Sequence, residues 1–405
     1  MKRKIIKLFI LFIPIQKWRH LLRNKYLKTT MIEFKKDKML LENILSGEYN
    51  TISDTSMRNM QDIFESKCIL PKKHLGNYIN LLFKNTSVFS ADYTHSANYI
   101  VLRGSGSWSP QPEMANWAVK NHIPIIRSED GFLRSADTWC NTVVDEKYTN
   151  GISFTFSNDV HYFDATKSSL MERLINDKSL TFSSKELARA RKCIDFIVKN
   201  HLTKYNHQPI YSPKIGRNGV QKILVIDQSY GDFSISKGLA NNNTFTTMLE
   251  TAIKENPQAD IIIKTHPDAL AKGTERASGY YSGYKAHDNI YTFTAPINPI
   301  SLLQYCDKVY VCTTQFGFEA LMCNKEVHTF GMPFYAGWGL TKDALICERR
   351  TNKRTLEEIF YIAYILYSYY VNPDTRKQCE IEEAMDYLLK LRQEYFEEFK
   401  IRKDI

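Results

Sequence analysis

KILVIDQSYGDFSI, residues 222–235, decides the fold. Ile223, Leu224, Val225 and Ile226 are consecutive rather than alternating, the pattern of a strand covered on both faces of a parallel sheet. The run ends at Asp227, and Gly231-Asp232 then supplies turn chemistry. Downstream, the pattern predicts a helix from about 244 to 256, a strand over 260–264 and a helix over 300–306. A strand over 308–312, a helix starting near Gly317 and a strand over 326–330 follow. Upstream, a strand at 98–102, a helix at 113–121 and a strand at 123–127 form a second alternating unit. Strands alternating with helices imply doubly wound parallel sheets. The Pro-, Gly-, Asn- and Ser-rich stretch 207–220 reads as the boundary between two lobes. The expected division is a basic amphipathic segment 1–30, a first lobe 31–215, a second lobe 216–345 and C-terminal helices 346–405.

At 405 residues the chain is long enough for two cores. It is 43% hydrophobic and 24% charged, which excludes a disordered chain or a multi-span membrane protein. The net charge of +10 suits an anionic partner without naming it. Eight scattered cysteines form no C-x-x-C pair and no zinc-ligand spacing, so they read as free thiols, and no metal is expected. At the N-terminus an apolar run, Ile5 to Ile15, is flanked by Lys and Arg. It is half the length of a spanning helix, and no small-residue cleavage site follows. A segment lying on an anionic membrane fits that pattern, as does an ordinary first helix covering the core.

Ligands of open α/β sheets bind beyond the carboxyl ends of the strands. Four strand ends carry suitable chemistry. Glu129-Asp130-Gly131 offers one carboxylate for proton transfer and another to hold the loop, although an ion pair with Arg134 or a helix cap also accounts for the pair. Asp232, presented by a Gly turn, suits a nucleophile or a plain turn residue. Lys264 and His266, stiffened by Pro267, suit a phosphate leaving group. Thr313, Thr314, Gln315 and Gly317 open a helix, where free N–H groups favour phosphate or a simple cap. Finally GMPFYAGWGLT, 331–341, sets three glycines among Phe334, Tyr335 and Trp338, which suggests close backbone approach and a surface for a base or sugar.

Taken in order, EDGFLRS (129–135), HYFDATKSSLMERLI (161–175), DQSYGDFSI (227–235), KTHPD (264–268) and GFEALMCNKEVHTFGMPFYAGWGLT (317–341) resemble the capsule-synthesis family of bacterial β-Kdo transferases, Kdo being 3-deoxy-manno-octulosonic acid. The resemblance implies a GT-B type fold, α/β with two Rossmann-like lobes, parallel sheets and a helical C-terminal extension. It also implies retaining transfer of Kdo from CMP-β-Kdo to a glycan or glycolipid acceptor, with no further cofactor. By that likeness Asp232 is the nucleophile, Glu129 the acid or base, Asp130 its catalytic neighbour, and His266 the group at the donor phosphate. Lys264, Pro267, Thr313, Thr314, Gln315, Gly317, Glu319, Tyr335, Gly337 and Trp338 hold the CMP-sugar. Residues 136–141 depart from the family's Gly-Leu-Gly turn, so the acceptor-side loop differs. The expected setting is the cytoplasmic face of the inner membrane, at its anionic surface, with no nucleic acid. Two other readings stay open: a transferase using CMP-sialic acid or another activated sugar, and a non-catalytic polysaccharide-binding assembly protein.

Overall fold

β-Branched and aromatic runs build the first sheet: β1 (Lys67–Leu70), β2 (Asn85–Val88), β3 (Tyr99–Arg103), β4 (Ile125–Asp130) and β5 (Ser153–Ser157). These belong to a computed structural model that describes residues 52–71, 78–89, 96–104, 111–139, 141, 143–265, 279–401 and 403–404. The amphipathic segment 1–30 lies outside them. Strands β1 to β4 are parallel, whereas β5 runs antiparallel to β4. The expectation of an all-parallel first sheet is therefore corrected. The helix Ser184–Lys199 follows, started by a capping box between Ser183 and Glu186, and it buries Ala190, Cys193, Ile194 and Ile197 at helical spacing.

A short strand, β6 (Ile210–Tyr211), leads into the second sheet. Its strands are β7 (Lys222–Ile226), β8 (Asp260–Lys264), β9 (Ile290–Phe293), β10 (Lys308–Val311), β11 (Glu326–Thr329) and β12 (Lys342–Asp343). They lie in the order β12-β11-β10-β7-β8-β9, all parallel. The unbroken apolar run of β7 now has its cause. Ile223 and Val225 enter one buried cluster and Leu224 and Ile226 the other, so both faces are covered. Each such side chain contributes about 1.5–3 kcal/mol on burial.

The last segment corrects a second expectation, because it is not only helical. After the helix Leu356–Phe360 and a π-helical turn Tyr361–Leu366, the chain forms a hairpin, β13 (Ser368–Asn372) with β14 (Lys377–Cys379). β13 pairs antiparallel with β5 and so returns the chain to the first sheet, whose order is β14-β13-β5-β4-β3-β1-β2. The reason is legible in SYYVN, a β-favouring run closed by the turn residues Pro373 and Asp374. The helix Ile381–Glu398 follows, and β15 (Lys403–Asp404) pairs with β6. Among the described residues no helix is long and apolar enough to cross a membrane.

Candidate active site

In the second sheet the strand order reverses between β7 and β10, the topological switch point at which open α/β sheets bind ligands. The side chain of Gln228, just beyond β7, spans that point. Its Oε1 accepts the Thr313 N–H at 2.9 Å, and its Nε2 donates to Thr313 Oγ1 at 3.0 Å. Asp232 stands on the same rim, exposed, where its carboxylate caps the helix Phe233–Lys237 through Ser234 N and Oγ at 2.8 and 2.7 Å. Beneath them Asp227 is buried and accepts the N–H groups of Gln228 and Tyr280 at 2.9 and 2.8 Å. Burial raises its carboxyl to about 6. Gly279 lies so close that a Cβ there would sit 1.9 Å from Asp227 Oδ2. Burial also draws Lys264 down to about 8, partly offset by Asp227. The Lys264 ammonium donates to the carbonyls of Thr265 and Ala295. His266 and Pro267 lie outside the described residues.

The first sheet contributes a pair of unlike carboxyls. Glu129 and Asp130 are the last two residues of β4, at the strand end where the sequence placed them. Asp130 is gripped from two sides, by Arg103 Nη2 and by Arg134 Nε at 2.6 Å. Burial alone would raise its carboxyl, but Arg134, Arg103 and Lys204 hold it well below the usual range. Asp130 is thus an ion-pair pivot. Glu129 is the opposite case: burial, and then the Asp130 charge, raise its carboxyl above the ordinary glutamate value. Two adjacent carboxyls pushed apart in this way are suited to different protonation roles.

Nearby stands a residue to which the sequence reading gave no role. His161 bonds the Gly104 carbonyl through Nε2 at 2.9 Å, so that nitrogen carries the proton. Burial, with Arg127 and Lys237, pushes its pKa well down and leaves the ring neutral. Gly104 itself has φ +66°, and a Cβ on it would lie 3.8 Å from Glu129 Oε2.

The two sheets' loops meet. Gln315 Nε2 donates to the Phe132 carbonyl at 2.9 Å, Lys237 Nζ pairs with Asp164 at 3.1 Å, and Ala165 N donates to Lys237 O at 2.8 Å. Glu319 is buried where it meets the Lys204 backbone, and burial lifts its carboxyl to about 7. Gln228, His161, Lys204 and the Asp164–Lys237 pair were not anticipated. The quoted segments HYFDATKSSLMERLI, which holds His161 and Asp164, and DQSYGDFSI, which holds Gln228, offered the only signal.

The aromatic loop is placed differently from a ligand-facing surface. Tyr335 and Trp338 are both fully buried. The Tyr335 hydroxyl donates to Thr314 O at 2.7 Å, and the Trp338 indole donates to Phe334 O at 2.8 Å. The close approach expected of the glycines is real but internal. A Cβ at Gly317 would meet Tyr335 Oη at 2.1 Å, and Gly337, at φ +84°, sits against Arg350 while its N–H donates to Asp343. Tyr335 therefore pins the Thr314 turn from behind, while Trp338 ties the loop to its own backbone. Among the described residues no group of three His, Cys, Asp or Glu side chains is arranged to hold a metal.

A family model described as capsule polysaccharide biosynthesis protein matches residues 213–373. The capsule polysaccharide modification protein LipA of Neisseria meningitidis is 40% identical over 281 residues, 67% of this chain and 38% of LipA. The lipopolysaccharide-processing protein LpsZ of Rhizobium meliloti is 37% identical over 272 residues, 67% of this chain and 60% of LpsZ. The chain thus spans less than two thirds of the length of these relatives. Among solved structures, the β-Kdo 2,4 transferase of Thermosulfurimonas dismutans KpsC aligns with TM-score 0.70 and 32% identity, covering 80% of this chain and 98% of that one. The β-Kdo 2,7 transferase of the same KpsC aligns with TM-score 0.59 and 25% identity, over 80% and 99%.

Proposed function

This chain belongs to the capsule-synthesis family of β-Kdo transferases, and from that membership we propose that it is a retaining glycosyltransferase moving Kdo from CMP-β-Kdo to a glycan or glycolipid acceptor. The two sheets are then the acceptor and donor lobes of a GT-B fold. One observation carries the reading: the switch point of the parallel sheet, spanned by Gln228 and Thr313, opens beside the strand end that bears Glu129, with Gln315 bonded across to Phe132.

In this proposal the Thr313, Thr314, Gln315 and Gly317 turn receives the CMP phosphate. Lys264, His266 and Pro267 close it from the end of β8, on the far side of β7, and Glu319 supports it from the helix behind. Tyr335 acts by holding the turn in place, and Gly337 and Trp338 by holding the loop that carries Tyr335. Asp232 attacks the anomeric carbon, CMP departs with the bonding electrons, and a Kdo ester on the carboxylate results. Glu129, whose carboxyl burial and the Asp130 charge raise, takes the acceptor hydroxyl proton as that oxygen displaces the carboxylate. Asp130 keeps Glu129 in place and in tune. Preorganised donors supply the electrostatic stabilisation. The N-terminal basic segment would keep the enzyme at the anionic cytoplasmic face of the membrane, where a glycolipid acceptor is within reach.

The test is turnover with CMP-Kdo and CMP-sialic acid side by side against a panel of glycan acceptors, with product linkage read by NMR. A β-Kdo product from CMP-Kdo supports the proposal. Transfer from CMP-sialic acid alone, or no CMP release from either donor, overturns it.

A further inference from the structure

Far along the chain from these loops, the helix Ile381–Glu398 lays Arg392 against the turn that follows the helix Ser184–Lys199. Arg392 is only 4% exposed. Its Nη1 donates to the His201 carbonyl at 2.9 Å, and its guanidinium lies 5.9 Å from the Phe396 ring centre. Among the described residues no carboxylate comes within ion-pairing distance, and burial, with no opposing charge, draws the guanidinium down to about 10. A guanidinium carries five N–H donors in a planar fork, so one carbonyl leaves most of it unmet. Buried cations are ordinarily paired, because an uncompensated one is costly.

The unmet fork faces space. Two cavities, of about 340 and 210 Å³, share Leu389, Arg392 and Gln393 in their walls. The smaller one adds Lys199, Asn200, His201 and Ile210, and no carboxylate lines it. Lys199 is exposed and brings a second cation. The larger cavity is apolar on the side of Phe396 and Ile401, and its one acid, Glu397, accepts from Gln393 at 3.1 Å.

We propose that the 210 Å³ cavity between the helix Ile381–Glu398 and residues 199–210 is a binding site for a small oxyanion of the phosphate class, held by the Arg392 fork with Lys199 as the second cation. Arg is the residue suited to planar, two-point capture of such an anion. The source is free phosphate, or a phosphate monoester whose apolar substituent lies along Phe396 and Ile401.

Calorimetric titration of the full chain with inorganic phosphate, at constant ionic strength and with saturating CMP to occupy the proposed donor site, tests this. One saturable site is expected. Lys199→Gln should weaken it roughly fivefold and Arg392→Lys roughly tenfold or more. A general salting effect would not saturate and would be the same in both variants. Tighter binding of dihexanoyl phosphatidic acid than of phosphate would assign a lipid headgroup, and equal binding would assign the free ion; either supports the site. Absence of saturable binding overturns the proposal. So does unchanged affinity in Lys199→Gln, which decides the matter even if Arg392→Lys fails to fold.

Discussion

Replacing Glu319 by Gln should remove a specific part of the protein's pH dependence. Glu319 is 4% exposed on the helix Phe316–Met322, and burial lifts its carboxyl from 4.5 to about 7. A carboxyl raised on folding favours the protonated native state. The stability it contributes is fully present below the unfolded value near 4.5 and is lost as pH rises through about 7. The interval between those values, at about 1.4 kcal/mol per pH unit, is roughly 3.5 kcal/mol, of which about 2.5 kcal/mol falls between pH 5 and pH 8. Gln keeps the volume and an acceptor for the Lys204 N–H but does not titrate. Denaturant unfolding of both proteins from pH 5 to pH 8 isolates the effect, because titrations common to the two cancel in the difference. The variant should gain on the parent by about 2.5 kcal/mol across that range. Parallel stability curves would refute the claim that this buried carboxyl is held protonated at the junction of the two sheets.

Other outcomes follow from the same geometry. Asp130→Ala should cost about 3–5 kcal/mol in unfolding experiments, since it strands the nearly buried guanidinium groups of Arg103 and Arg134. Asp130→Asn should move the acidic limb of the pH–rate profile to lower pH, because one of the two influences raising Glu129 is gone. Gly317→Ala should destabilise by about 1–3 kcal/mol through collision with Tyr335 Oη, and less in a Tyr335→Phe background, as thermal melts of the parent, the two single variants and the double variant would register. Asp232→Ala should abolish sugar transfer while lowering stability by only about 0.5–2 kcal/mol, the range for a lost helix cap. Turnover and melting measured on the same sample separate the two effects.

Much of the second sheet was legible because its strands are extreme. The apolar runs of β7 and β8 announce a sheet covered on both faces, and their ends mark where polar groups meet a ligand. β13 and β14 were not read, because Tyr-rich segments fit a helix pattern as readily as a strand until the partner β5 is known. The Glu129-Asp130 pair was read as two carboxylates with separate tasks, but Arg103 as the second clamp on Asp130 depends on the β3–β4 register. Gln228 and Thr313 are 85 residues apart, and only the strand order brings them together. The glycines of the aromatic loop did report close approach. Whether that approach serves a ligand or the interior is a matter of packing, and the interior accounts for Tyr335 and Trp338.

The most direct test of a carboxylate-nucleophile transferase is to expose the Glu129→Gln protein to CMP-Kdo without acceptor, digest it, and locate sugar-modified peptides by mass. The account predicts CMP release and Kdo on the peptide containing Asp232. CMP release with no protein-bound Kdo, or Kdo on a different residue, would contradict it.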